Sequence, residues 1–211
     1  MFRNDSLFGR FMNVLGDVLF TGILWLIASL PVLTVGTAST AAYYAMSKCV
    51  RHKTGYLWKE FLHSLRVNLK QSLILSLIYL VVLLVLGLDI WYVWNNDSKL
   101  NSAVFVILIF VLFLAVSIGI YLWPLLSRFE KKNSELIKTA FIVSFRYLPL
   151  TLGLVFLLAV SIIGVYLMPW AVLAIPGVYI YIISFPVEWI LKKMMPVPEE
   201  GSIEAEKWYY Q

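Results

Sequence analysis

Long apolar runs alternate with short polar segments along this chain of 211 residues. A helix that crosses a bilayer needs about 20 mostly apolar residues. Runs of at least that length occur at 14–33, 72–94, 102–126 and 148–191. The pattern therefore predicts transmembrane helices in all four runs.

The last run is about twice the length that one span requires. Pro169 and Trp170 divide it, because proline favours a helix boundary and tryptophan is typical of the headgroup level of a membrane. The two halves, 148–168 and 170–191, bring the number of predicted spans to five.

A sixth span depends on the segment SLPVLTVGTASTAAYYA, which follows the first run. Pro31 ends or kinks the first helix, and Thr34 or Thr37 can cap a second one over 37–50. Alanines recur there at helical spacing, which lets helix backbones approach closely. They are Ala38, Ala41, Ala42 and Ala45. Such a helix extends about 21 Å at 1.5 Å per residue, so the segment is either a short sixth span or a re-entrant half-helix.

Lysine and arginine concentrate on the cytoplasmic side of membrane proteins. The segment that follows SLPVLTVGTASTAAYYA is rich in both residues, as are the segments after 102–126 and after 170–191. Their basic residues are Lys48, Arg51, Lys53, Lys59, Arg66 and Lys70, then Arg128, Lys131, Lys132, Lys138 and Arg146, then Lys192 and Lys193. The connection NNDSKLN carries Lys99 alone, offset by Asp97.

This asymmetry bears on the N-terminus, where Arg3 and Arg10 precede the first helix. If 37–50 crosses the membrane, both arginines are cytoplasmic; if it does not, both are external. We favour six crossings with both termini inside over five crossings with an external N-terminus. A single all-α membrane domain is expected over 1–194, followed by a cytoplasmic tail at 195–211.

Two segments have the pattern of amphipathic helices. In GYLWKEFLHSLRVNLKQ, seven apolar residues share one face: Tyr56, Leu57, Trp58, Phe61, Leu62, Leu65 and Leu69. The opposite face carries Lys59, His63, Arg66 and Lys70. This is typical of a helix at the cytoplasmic interface, where basic residues meet anionic lipid. We expect Trp58, Arg66, Asn68 and Lys70 to form that interface, and NSELIKTAFIVSFRY to be a similar elbow before the predicted span at 148–168.

The composition agrees with a membrane protein, since 61% of residues are hydrophobic and 14% are charged. Soluble domains are closer to half apolar and a quarter charged. The loops leave no room for a soluble catalytic domain. The net charge of +5 comes from the loops predicted to be cytoplasmic and indicates contact with lipids rather than nucleic acid. The first helix lacks a small-x-small cleavage site and is expected to be retained.

The sequence contains no pattern typical of an active site. It has no phosphate loop, dinucleotide fingerprint or nucleophile elbow. His52 and His63 lack partners at metal-ligand spacing, and Cys49 is the single cysteine, interpreted as a packing residue. We therefore expect no enzyme activity, no cofactor and no metal site.

The triplet Thr34-Val35-Gly36 matches the start of a potassium-channel filter. Thr37-Ala38 replaces the tyrosine and glycine that complete such filters. A corner between two helices, with Gly36 supplying a permissive backbone, explains the triplet with fewer assumptions.

Ionisable residues inside a membrane are functional candidates, because an unpaired charge in lipid is costly. Asp17, Asp89 and Arg146 are the candidates here. Asp17 could face the bundle interior or lie near an interface, Asp89 can reach headgroup water, and Arg146 can extend to the cytoplasmic surface. Glu188 precedes Lys192 by four residues, which favours a local ion pair.

The stretch LWLIASLPVLTVGTASTAAYYAM resembles the N-terminal signature of the YesL-like membrane proteins of Gram-positive bacteria, a family of unknown molecular function. The resemblance rests on an aromatic-rich first helix, a Leu-Pro-x-x-Thr-x-Gly motif, small residues and a tyrosine. These places are taken by Pro31, Thr34, Gly36 and Tyr43 or Tyr44. Weaker similarity continues through Phe61, Asn68, Lys70 and Gln71, and then through Arg146 and Tyr147.

The resemblance implies a small polytopic protein of the bacterial cell membrane, often encoded beside components of sugar ABC importers. We therefore expect a non-enzymatic accessory or regulatory component that packs against the permease subunits of a carbohydrate ABC importer. Its contact surfaces would be the alanine stripe, inside the bundle or with the partner, and the basic interfacial helix.

Two alternatives stay open. An independent transporter or channel would build a polar cavity from Asp17, Thr34, Thr37, Thr40 and Asp89. An assembly factor for membrane transporters would differ from an accessory subunit in being absent from the finished complex.

Overall fold

In the computed structural model of the protein, residues 7–95 and 99–195 are described. Over these residues the chain is all-α, as predicted, with no strand. The α-helices are α1 (Leu7–Ala28), α2 (Val35–Ala45), α3 (Leu57–Asn95), α4 (Lys99–Arg128), α5 (Asn133–Arg146), α6 (Leu148–Leu167) and α7 (Ile175–Met194). Short 3₁₀ segments precede α2 and α7, and a π-helical segment, Met46–Arg51, extends α2. Arg3 and the predicted tail beyond Met195 lie outside the described residues.

Five of these helices are long and apolar enough to cross a membrane: α1, α3, α4, α6 and α7. Apolar side chains face outward along much of their length, as the surface of a protein in hydrocarbon does. The chain is therefore a multi-pass membrane protein. The segment predicted at 37–50 is not among the five.

Helix α2 lies at the centre of the molecule, in contact with α1, α3, α4 and α7. Its alanine stripe is fully buried, because Ala38, Ala41, Ala42 and Ala45 are all 0% exposed. The predicted close approach is thus between α2 and other helices of the same protein. These alanines contribute nothing to its outer surface.

Helix α2 runs antiparallel to the first half of α3. Near its start, the hydroxyl oxygens of Thr37 and Ser72 are 2.7 Å apart, and near its other end Lys48 pairs with Glu60 at 2.7 Å. From Ser72, α3 continues to Asn95, about 35 Å at 1.5 Å per residue. Helix α2 therefore begins beside the middle of α3 and lies along its N-terminal half.

The corner before α2 depends on Pro31 and Thr34. A 3₁₀ turn over Val32–Thr34 follows Pro31, and the Thr34 hydroxyl donates to the carbonyl oxygen of Ala28 at 2.5 Å. Gly36 has a different role from the one predicted, because it lies within α2 and needs no permissive backbone. A Cβ at Gly36 would lie 2.3 Å from the ring of Trp123, so close packing requires glycine there.

The segment predicted as a separate interfacial helix forms the first turns of α3, which is continuous from Leu57 to Asn95. Leu57 and Phe61 are buried, while Tyr56 and Trp58 are exposed. Most of the apolar face therefore packs on the bundle. Its polar face remains at the surface.

Helices α1 and α7 cross at a pair of glycines. A Cβ on Gly177 would lie 2.0 Å from the carbonyl oxygen of Val18, and one on Gly22 would lie 2.5 Å from that of Leu173. Only glycine lets these backbones approach so closely. The contact holds the N-terminal end of α7 against α1.

Helices α4, α5 and α6 are joined by buried hydroxyl groups. The hydroxyls of Tyr121 on α4 and Thr151 on α6 are 3.0 Å apart. Ser144 on α5 donates to the carbonyl oxygen of Ser117 at 3.2 Å. The predicted elbow is α5, which ends at Arg146 and is followed immediately by α6.

Candidate functional site

A buried ion pair connects α4 to α7. The guanidinium of Arg128, at the last residue of α4, donates to Oε1 of Glu188 at 2.5 Å. The two side chains are 0% and 1% exposed. Since a carboxylate or guanidinium without a partner is costly to bury, this contact keeps both charges inside the bundle.

Helix α2 and its π-helical extension bind the other oxygen of the same carboxylate. The Tyr43 hydroxyl donates to Oε2 of Glu188 at 3.0 Å, and the Ser47 hydroxyl does so at 3.3 Å. Glu188 thus ties α2, α4 and α7 together. We call Tyr43, Ser47, Arg128 and Glu188 the carboxylate network.

The predicted ion pair between Glu188 and Lys192 is wrong. A spacing of four residues places both on one side of α7, but that side faces the bundle at Glu188, where Arg128 lies within reach. The neighbouring Lys193 lies over the ring of Trp189, with its Nζ 3.6 Å from the ring centroid.

Further basic groups gather around this end of the bundle. Arg51 donates to the carbonyl oxygen of Ser184 and lies over the ring of Phe185. Burial, together with the positive charge of Lys192, lowers the pKa of His52. His52 therefore stays neutral at neutral pH, and it adds no charge to that of the surrounding cations.

A cavity of about 380 Å³ adjoins the carboxylate network. It lies between α4, α6 and α7, with α1, α2 and α3 contributing to its walls. The lining residues are Trp25, Ser39, Tyr43, Tyr79, Val116, Gly119, Ile120, Trp123, Pro124, Leu158, Ser161, Ile162, Val165, Val172, Ile175, Pro176, Tyr179, Ile180 and Ile183. Tyr43 belongs to both features, because its ring lines the cavity and its hydroxyl binds Glu188.

The structure does not bring the predicted polar candidates together. Asp17 and Asp89 are exposed on α1 and α3, and Arg146 is exposed at the end of α5. Thr37 bonds to Ser72, and Thr40 donates to the carbonyl oxygen of Gly36 at 3.0 Å. The Thr37 contact therefore joins α2 to α3, and the Thr40 bond lies within α2.

The residues predicted at the interface lie along the N-terminal half of α3. Trp58, Arg66 and Lys70 are exposed. Asn68 is half-buried and donates to the carbonyl oxygen of Ser64 at 3.1 Å. Three of the four are thus available for contact with another molecule.

The carboxylate network is the feature that reasoning from the sequence missed. The sequence pattern groups Arg128 with the basic residues of the loops and predicts Lys192 as the partner of Glu188. One signal in the sequence pointed to the network. Glu188 is a charged residue within an otherwise apolar stretch of α7, before the lysines Lys192 and Lys193 at the end of the helix. Arg128 and Glu188 are 60 residues apart in sequence, so only the relative orientation of α4 and α7 identifies them as partners.

In the described part of the chain, no group of three metal-binding side chains converges. The network holds a charged carboxylate between fixed donors, an arrangement suited to locking three helices.

Searches of curated proteins and of solved structures found no match. Comparison with protein families found similarity over the region that contains the second half of α1, all of α2 and most of α3. Residues 18–90 of the chain are similar to a family described as "Protein of unknown function, DUF624".

Proposed function

We propose that the protein is a non-enzymatic membrane protein that acts by binding another membrane protein, as an accessory or regulatory component. The observation that carries the proposal is the placement of the polar groups. Asp17 and Asp89 lie apart on the outer surface, while Thr37 and Thr40 bond within the bundle. The groups that a hydrophilic transport path would have used are thus either separated or engaged in packing.

The partner class follows from the resemblance to YesL-like proteins, which implies a carbohydrate ABC importer and its permease subunits. That resemblance also supports a location in the bacterial cell membrane, and the charge asymmetry of the loops supports a cytoplasmic C-terminus. Because the alanine stripe is buried, the contact surface is the exposed basic face of α3 near Arg66 and Lys70.

Crosslinking in native membranes, followed by purification through a C-terminal tag and mass spectrometry, tests the proposal. We expect permease subunits in a fixed ratio to the tagged protein, and their loss in Arg66→Glu/Lys70→Glu. Lys138→Glu, which reverses an exposed base on α5, is the matched control and should retain the partner. Recovery of the tagged protein alone would contradict an accessory role.

An independent transporter is the second candidate, favoured by the cavity next to the carboxylate network. Tyr43 connects the two, so movement of its ring would expose Glu188 to the cavity. Uptake by vesicles containing only this protein, abolished in Tyr43→Phe/Glu188→Gln but not in Asp17→Asn, would favour this candidate. An assembly factor would instead crosslink to permeases during their synthesis and be absent from the finished complex.

A further inference from the structure

The cavity is lined by aliphatic and aromatic side chains, and no acidic or basic side chain contributes to its wall. Three of its hydroxyl groups are already bonded within the protein. Ser39 donates to the carbonyl oxygen of Val35 at 2.8 Å, Ser161 to that of Leu157 at 2.8 Å and Tyr79 to that of Ala115 at 3.3 Å. The wall therefore favours an apolar occupant.

The cavity is reached from the side of the bundle. Helices α4 and α6 meet at Tyr121 and Thr151, and beyond that contact Val116 of α4 and Leu158 of α6 both line the cavity. Ile162, at its edge, is 62% exposed. Since α4 and α6 are both among the helices that can cross a membrane, we expect this side of the cavity to face the hydrocarbon of the bilayer.

Apolar cavities stay dry and take up apolar molecules, even at about 150 Å³. This cavity is larger, at about 380 Å³, and falls within the range of ligand pockets, roughly 300–1,000 Å³. Tyr43, Ile180 and Ile183 also line the cavity and are buried, in contrast to the exposed Ile162. An extended chain entering beside Ile162 would thus end against these three residues.

We propose that the cavity binds one hydrocarbon chain of a bilayer lipid, which enters between α4 and α6 and ends near Tyr43. The bound chain fills the wedge between these helices and packs against the ring whose hydroxyl holds Glu188. This binding is independent of the proposed partner, because it needs only the purified protein and lipid.

The test uses the full-length protein in nanodiscs of phosphatidylcholine that carries a diazirine at the end of one acyl chain. After irradiation, mass spectrometry locates the crosslinked residues. We expect crosslinks at Tyr43, Ile180 or Ile183, which the surrounding lipid cannot reach. Ser161→Trp, which fills the cavity from α6, should lower their yield at least fivefold.

Ile163→Trp is the matched control, because it adds the same side chain at a neighbouring exposed position outside the cavity lining. Its crosslinks should match those of the unmodified protein. If Ser161→Trp does not give folded protein by size-exclusion chromatography, Val116→Phe fills the cavity from α4, and its crosslinking yield is measured instead. Crosslinks confined to outward-facing residues, or unchanged in the filled variant, would overturn the proposal.

Discussion

At the scale of single residues, Glu188 is buried and is held by side chains from three different segments. Its two carboxylate oxygens accept hydrogen bonds from Arg128, Tyr43 and Ser47. Burying a carboxylate costs several kcal/mol unless a charge and hydrogen-bond donors compensate it, and here all three donors come from other helical segments. The hydrogen bonds of Glu188 can therefore form only when α2, α4 and α7 are correctly packed together.

Replacement of Glu188 by glutamine should destabilise the folded protein by about 3–5 kcal/mol, because the Arg128 charge then stays buried without its counter-ion. Unfolding in mixed micelles, followed by circular dichroism, measures the change. The paired variant Arg128→Met/Glu188→Leu should recover most of the loss, since apolar side chains can replace a buried ion pair. Glu135→Gln, at an exposed position of α5, should change stability by less than about 0.5 kcal/mol. An equal effect of Glu135→Gln and Glu188→Gln would show that burial of the pair is not the cause.

At the scale of helices, α2 is positioned by close contacts. Its first turn touches Trp123 of α4 through Gly36, and the Gly36 amide donates to the Ser76 hydroxyl of α3 at 3.2 Å. The stripe of buried alanines continues this contact surface toward the carboxylate network. Small side chains thus let a short helix lie among four others.

Gly36→Ala should destabilise the protein by about 1–3 kcal/mol, because the new methyl group overlaps the Trp123 ring. Gly153→Ala is the control: Gly153 lies in α6 with open space around it, so alanine there should be neutral or stabilise by at most about 1 kcal/mol. The same unfolding measurement applies to both. Trp123→Leu in the Gly36→Ala background should restore stability, and failure to do so would place the cause elsewhere.

At the scale of the whole molecule, α3 is long enough for its two ends to lie on opposite sides of a membrane. Its 39 residues extend about 58 Å, nearly twice the roughly 30 Å of the hydrocarbon core. Lys59 near its start and Asn95 at its end must therefore lie on opposite sides if α3 crosses the membrane. The charge pattern predicts that Lys59 and Lys193 share the cytoplasmic side.

Labelling with a membrane-impermeant maleimide tests this arrangement in a Cys49→Ser background, which removes the single cysteine. Asn95→Cys should be labelled in intact cells, whereas Lys59→Cys and Lys193→Cys should be labelled only after permeabilisation. The Cys49→Ser protein alone should remain unlabelled under both conditions. Labelling of Lys193→Cys in intact cells would reverse the predicted orientation.

The sequence by itself determined the class of the protein and the five long apolar helices, because the bilayer sets the length of a span and hydrophobicity is a local property. The alanine spacing likewise predicted close packing of α2, since residues three and four apart share one face of a helix. Only the tertiary structure decided the rotation and pairing of the helices. That step turned Glu188 toward Arg128 rather than Lys192, set Gly36 against Trp123, and left Asp17 and Asp89 outside. Local periodicity carries no information about partners distant in sequence; those depend on how the packed side chains fit together in three dimensions.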